Sequence, residues 1–253
     1  MLACKGVTHP GRVRKVNEDG FRSDAQLGLF LVADGMGGHN AGEIASTMAL
    51  ESVYAFIRRT NDEEEFTWPF GVDTLLSYDA NRVRTALRLA NRRVFQASEE
   101  RVEHSGMGTT IVAALVTGGT LTYAAVGDSR LYSFSDGTLS RLTVDDSWLA
   151  TVITQNVALD PVQLEQHPLR HVITKAIGTL ADTEVDIHER GLAPGETLLL
   201  CSDGLHDMMT DEKIRQGLAA GSSLEVTAES LVECALEAGG RDNVTVLLVR
   251  NDA

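Results

Sequence analysis

Two short stretches, Thr117-Gly118-Gly119 and Asp136-Gly137, sit between apolar runs of strand length and constrain the fold more than any other feature. Short glycine-containing connections join neighbouring strands as hairpins, whereas parallel strands need a crossover of about a dozen residues or more. Apolar runs at 27–33, 109–116, 120–127, 130–134, 138–142, 197–201 and 243–249 therefore read as strands of largely antiparallel sheet. Ile44, Ala45, Met48, Ala49, Ser52, Val53, Phe56 and Ile57 fall on one helical stripe, and Val83, Leu87, Ala90 and Val94 fall on a second. Shorter helices are predicted near 211–219, opened by Thr210 or Asp211, and near 224–238, closed by Gly239-Gly240. The segment 147–180 is ambiguous between the two patterns. Helices grouped apart from hairpin strands predict an α+β fold, with packed antiparallel sheets flanked by helices on both outer faces. No linker or repeat divides the 253 residues, so one domain over 1–253 is expected.

The apolar runs end in a repeated way. "LFLVADG" delivers Asp34, "YAAVGDSR" delivers Asp128 and "LLLCSDG" delivers Asp203, while "GGRDNVTVLLV" sets Asp242 at the mouth of the last run. "RKVNED" adds Glu18 and Asp19. Any one of these is ordinarily a turn-starter or a helix cap. Four at strand ends change the odds, because strand ends at one sheet edge are neighbours in space. Crowded carboxylates raise one another's pKa and destabilise the fold unless a cation neutralises them. Oxygen donors without cysteine select Mg2+ or Mn2+ over Zn2+. The glycines at 35, 37, 38 and 42 are not a phosphate cradle, since the turn has neither a Lys-Ser/Thr pair nor G-x-G-x-x-G spacing and opens with an aspartate.

Other chemistries fail on spacing. Ser129 in "GDSRL" lacks the last glycine of a nucleophile elbow, and there is no H-E-x-x-H, EF-hand loop or D-x-D-x-T run. No cysteine has an arginine six positions on, and Cys4, Cys201 and Cys234 are too widely spaced for a zinc knuckle or a disulfide framework. Acids, paired cations and no side-chain nucleophile imply a metal-activated water. With 36 acidic against 22 basic residues the net charge is −14, which argues against a nucleic-acid or anionic-membrane surface. The N-terminal residues lack a signal-peptide core and no run approaches a membrane span of ~20 residues. A cytoplasmic monomer, with no membrane or nucleic-acid partner, is the expectation.

In order along nearly the whole chain, "RKVNEDGF" (14–21), "VADGMGGHNAGEIAS" (32–46), "GMGTTIVAAL" (106–115), "AAVGDSRLY" (124–132), "LCSDGL" (200–205) and "GRDNVTVLLV" (240–249) each match a family motif. The chain resembles the metal-dependent protein serine/threonine phosphatases of the PP2C (PPM) family, in their bacterial form. That resemblance implies two packed antiparallel sheets between helical layers, and hydrolysis of phosphoserine and phosphothreonine on proteins with two Mn2+ or Mg2+ ions. It implies that Asp34 bridges the ions, that Gly35 gives its carbonyl oxygen, and that Asp203 and Asp242 complete the pair. Asp19 and Glu18 would hold metal-bound waters, Asp128 with Asp203 would form a third, weaker site, and Arg14 would grip the substrate phosphate. Phosphorylated serine/threonine proteins and a cognate kinase are the implied partners.

His39 is the candidate general acid; a loop histidine making a structural hydrogen bond is an equal alternative, because a metal-bound water can also supply the proton. For Arg14 the alternative is a surface ion pair with Glu18. The chain departs from the family at "LTVDDSW", where Asp146 replaces a common histidine, and 147–175 corresponds to a variable flap. Two rival functions are a catalytically silent phosphoprotein-binding module, which should have lost metal ligands, and a phosphatase of small phosphorylated metabolites.

Overall fold

Alternation along the central strands decides the layering. In a computed structural model, which describes residues 1–38, 41–62, 66–154, 167–169 and 172–252, strand β3 (Leu29–Met36) turns Leu29, Leu31 and Ala33 one way and Phe30 and Val32 the other. The first set packs with Ala45, Ala49, Val53 and Ile57 of helix α1 (Ala41–Asp62) and with Val83, Leu87, Ala90 and Val94 of α2 (Tyr78–Glu100). The second set meets Leu198 and Leu200 of β10 (Thr197–Cys201) and Leu247 and Val249 of β11 (Val244–Asn251). The opposite faces of those two strands, Leu199, Cys201, Val246 and Leu248, pack under α5 (Asp211–Ala219) and α6 (Leu224–Glu237) through Ile214, Ala228, Leu231 and Ala235. Three apolar layers thus separate four structural ones, helix, sheet, sheet, helix, as the sequence predicts. Each fully buried Leu, Val or Phe side chain stabilises this arrangement by about 1.5–3 kcal/mol.

One sheet runs β1 (Leu2–His9), β11, β10, β7 (Arg130–Ser135), β8 (Thr138–Arg141). The other runs β2 (Asp19–Asp24), β3, β5 (Ile111–Thr117), β6 (Thr120–Val126), β9 (His188–Gly191), with β4 (Gly108–Thr109) on β3. The paired strands are antiparallel. Both turn signals close hairpins: Thr117 pairs with Thr120 and Ser135 with Thr138. Asp136 and Gly137 have φ of 51° and 75°, the two left-handed residues that a two-residue hairpin turn demands.

Helix starts also follow the expected chemistry. Thr210 caps α5 by accepting from Lys213 N, and Ser77 and Ser223 cap α2 and α6 in the same way. Strands β1, β2, β4 and β9 and the short helices α3 (Trp148–Thr154) and α4 (Asp203–His206) were not anticipated from the sequence. In the expected flap, Ser147 bridges Ile173, while residues 155–166, 170 and 171 lie outside the described residues. No helix among the described residues is long and apolar enough to cross a membrane.

Candidate metal centre

Strand direction carries the acids to common edges. β2 pairs with β3 so that Asp19 lies opposite Asp34. β3, β5 and β6 alternate in direction, so β3 and β6 finish at the same edge, where Asp34 and Asp128 emerge. In the other sheet β10 finishes beside the start of β11, with Cys201 opposite Val246, which sets Asp203 and Asp242 at one edge as well. Two hydroxyls join the edges across the sandwich. Ser202 Oγ and Thr245 Oγ1 each donate to Asp19 Oδ2 at 2.7 Å, and Thr245 N donates to Ser202 Oγ at 3.0 Å.

Electrostatics confirm that these carboxylates feel one another. Asp34 is held well above the usual carboxylate range, by burial first and then by the charges of Asp19, Asp203, Asp128 and Asp242. Burial pushes Asp19 up to about 7 against the opposing pull of the Ser202 and Thr245 hydrogen bonds, and Asp203 and Asp242 add to the rise. Asp128 is also pushed up to about 7, by burial and then by Asp203. Asp203 is raised by burial and then by the charge of Asp207.

Asp19 Oδ1, Asp128 Oδ1 and Asp203 Oδ1 are buried acceptors with no donor among the described residues. Buried oxygens of this kind, clustered and anionic, fit a hard divalent cation. Among the described residues no three carboxylate, imidazole or thiol groups form a closed ligand set, so the centre is a gathering of acids and not a tight cage.

Glu18 and Gly35 are built into the same corner. Gly35 N donates to Glu18 O at 3.1 Å, and Ser46 Oγ of α1 donates to that oxygen at 2.6 Å. Burial raises the Glu18 carboxyl, while the Gly42 N–H in the first turn of α1 draws it down, a favourable place for an anion. A Cβ on Gly35 would fall 2.0 Å from Gly42 O, so only glycine lets β3 pass here. Arg14 Nη2 donates to Asp242 Oδ2 at 2.6 Å. Its partner is therefore one of the acids of the centre, not Glu18, whose influence on Arg14 is a weaker charge effect.

Residues 11–238 match the sequence model of the protein phosphatase 2C family. The chain belongs to that family. The serine/threonine protein phosphatase PstP of Mycobacterium tuberculosis is 37% identical over 238 residues, which cover 94% of this chain and 43% of that protein. The chain thus spans less than half the length of that relative. The serine/threonine phosphatase stp of Listeria welshimeri is 33% identical over 252 residues, covering 97% of this chain and 94% of the relative. A crystal structure of the catalytic domain of PstP in complex with two manganese ions superposes with a TM-score of 0.82 at 31% identity, over 98% of this chain and 97% of that one.

Two further residues of this protein phosphatase 2C chain adjoin the acids without having been singled out as site members. His206, the last residue of α4, has a side chain 3% exposed, with Nε2 3.0 Å from Asp128 O. The strand-end pattern passed it over because the reading stopped at Asp203, just past the run 197–201; had Asp203 been read as opening a helix, the i, i+3 spacing would have set His206 beside it. Asp146, the departure from the family pattern, accepts from Gly127 N through Oδ2 at 3.1 Å and so touches the turn that carries Asp128. His39, the candidate general acid, lies outside the described residues.

Proposed function

We propose that this chain is a protein serine/threonine phosphatase that hydrolyses phosphoserine and phosphothreonine with two Mn2+ or Mg2+ ions. The observation that carries this reading is the convergence of Asp19, Asp34, Asp128, Asp203 and Asp242 from both sheets, three of them with buried oxygens that find no donor among the described residues. When bound, the paired ions supply activation of the attacking water and neutralise the phosphoryl oxygens. Asp34, the Gly35 carbonyl, Asp203 and Asp242 would hold them, Asp19 and Glu18 would act through water, and Asp128 with Asp203 would hold a third, weaker ion.

Arg14 presents a planar fork to the phosphate, a geometry that lysine lacks. Its present hydrogen bond to Asp242 keeps the guanidinium at the centre. His39 would protonate the departing alkoxide. The substrates are phosphoproteins made by a cognate serine/threonine kinase, and the chain acts as a cytoplasmic monomer. One phosphatase domain over 1–253 is supported by packing, since β1 and β11, from the two ends of the chain, pair side by side.

Purified protein stripped with a chelator should release no phosphate from a phosphothreonine peptide, and added Mn2+ should restore release. Full turnover after exhaustive chelation would overturn the mechanism. Hydrolysis of small phosphorylated metabolites with phosphopeptides left intact would reassign the substrate.

A further inference from the structure

We propose that His206 and Asp146 are positioning residues for Asp128, holding the Gly127-Asp128 turn to the helix that begins with Asp203 and to the 173–175 segment. This rests on the reading of Asp128 as the ligand of a third, weaker cation site.

The turn has little freedom of its own. Gly127 has φ of 103°, and a Cβ there would meet Thr110 Cβ at 2.7 Å, so the backbone lies directly on Thr110. Thr110 Oγ1 shares a hydrogen bond with Ser129 Oγ at 2.7 Å and accepts from Asp34 N at 3.1 Å. The residue after Asp128 is thereby linked to the backbone of Asp34.

Asp146 grips the residue before it. Its N–H donates to Gly127 O at 2.8 Å while its Oδ2 accepts from Gly127 N at 3.1 Å, a reciprocal pair that holds the peptide units on both sides of Gly127. The same residue reaches the other way: its carbonyl accepts from Thr174 N at 2.7 Å, and its Oδ1 lies 3.8 Å from Lys175 Nζ. The Asp146 carboxylate therefore serves both as acceptor for the turn and as ion-pair partner for Lys175.

His206 grips Asp128 itself. A carbonyl oxygen only accepts, so the proton at Nε2 is fixed by the 3.0 Å contact with Asp128 O. The other ring nitrogen lies 3.4 Å from Asp207 Oδ1, and the burial of the ring keeps water from competing. Because α4 starts with Asp203 and ends with His206, this bond sets the spacing between two carboxylates meant for one ion. Asp128 Oδ1, buried with no donor among the described residues, is the group so aimed.

The test is a calorimetric Mn2+ titration of the whole chain. Outer partners of a metal site are worth roughly 10–100-fold in affinity. His206→Phe, which keeps buried bulk without the donor, and Asp146→Ala should each weaken the weakest Mn2+ step by about that factor with the tight steps unmoved. His206→Gln, which retains an N–H, and Asp146→Asn, which retains an acceptor for Gly127 N, should recover it. Should the drastic variants fail to fold, His206→Asn, too short to reach Asp128 O, is compared with His206→Gln, and equal affinity in the two overturns the proposal. An unchanged weakest step alongside its loss in Asp128→Asn also overturns the proposal, as does uniform weakening of every step, which marks general destabilisation. Unchanged titration in Asp128→Asn itself overturns the parent reading, and the positioning role with it.

Discussion

Asp203 acts by charge on both Asp34 and Asp128, and in the proposed function it is the acid that would serve both the paired ions and the weaker third. Asp203→Asn should therefore lose more turnover than Asp128→Asn. If the lost charge stabilisation is about 3 kcal/mol, kcat falls roughly 100-fold, and steady-state assays at saturating Mn2+ compare the two variants. Arg14→Lys keeps the charge but not the fork, so KM for a phosphopeptide should rise by about 10-fold with a smaller change in kcat, and Arg14→Ala should raise it further. Asp34, Asp128, Asp203 and Asp242 were legible as a group from their places at the mouths of apolar runs, whereas Asp19 opens β2, a strand that no apolar run marks. The partner of Arg14 was not legible: Glu18 is four residues away in sequence, whereas Asp242 reaches it only because β1 pairs with β11.

At the level of the element, α4 is pressed against the start of β11. A Cβ on Gly204 would lie 1.9 Å from Asn243 O, a backbone atom that cannot swing aside. Gly204→Ala should push the helix carrying Asp203 away from Asp242, lowering the melting temperature and the Mn2+ affinity together; retention of both would show that the two elements slide freely. Elements with two-sided apolar packing were readable from sequence because their apolar run is nearly unbroken, as in β10 and β11. β1 and β2 were missed for a physical reason. They are edge strands, β1 half-buried along most of its length and β2 reading Asp-Gly-Phe-Arg-Ser-Asp, so neither carries the apolar signature of a strand buried on both faces.

For the whole molecule, the crowded acids make stability depend on pH. Asp19 and Asp128 have folded-state values near 7, above the ordinary 3.8, so the folded state holds protons that the unfolded chain releases. Their contribution is fully present below about pH 4 and is lost as pH rises through about 7. Chelated protein should melt at lower temperature at pH 8 than at pH 5.5, and Asp19→Asn and Asp128→Asn should flatten the slope. Excess Mn2+ should remove it, because a ligand that binds only the folded state stabilises by mass action and prefers ionised carboxylates. Differential scanning fluorimetry across that range is the check.

The same acids also govern how the molecule comes apart. Asp19 belongs to one sheet, and the two hydroxyls that hold its Oδ2 belong to the end of β10 and to β11 in the other. Any sliding of one sheet over its neighbour must break this rivet, and with it the alignment of Asp19 with the acids carried by the opposite sheet.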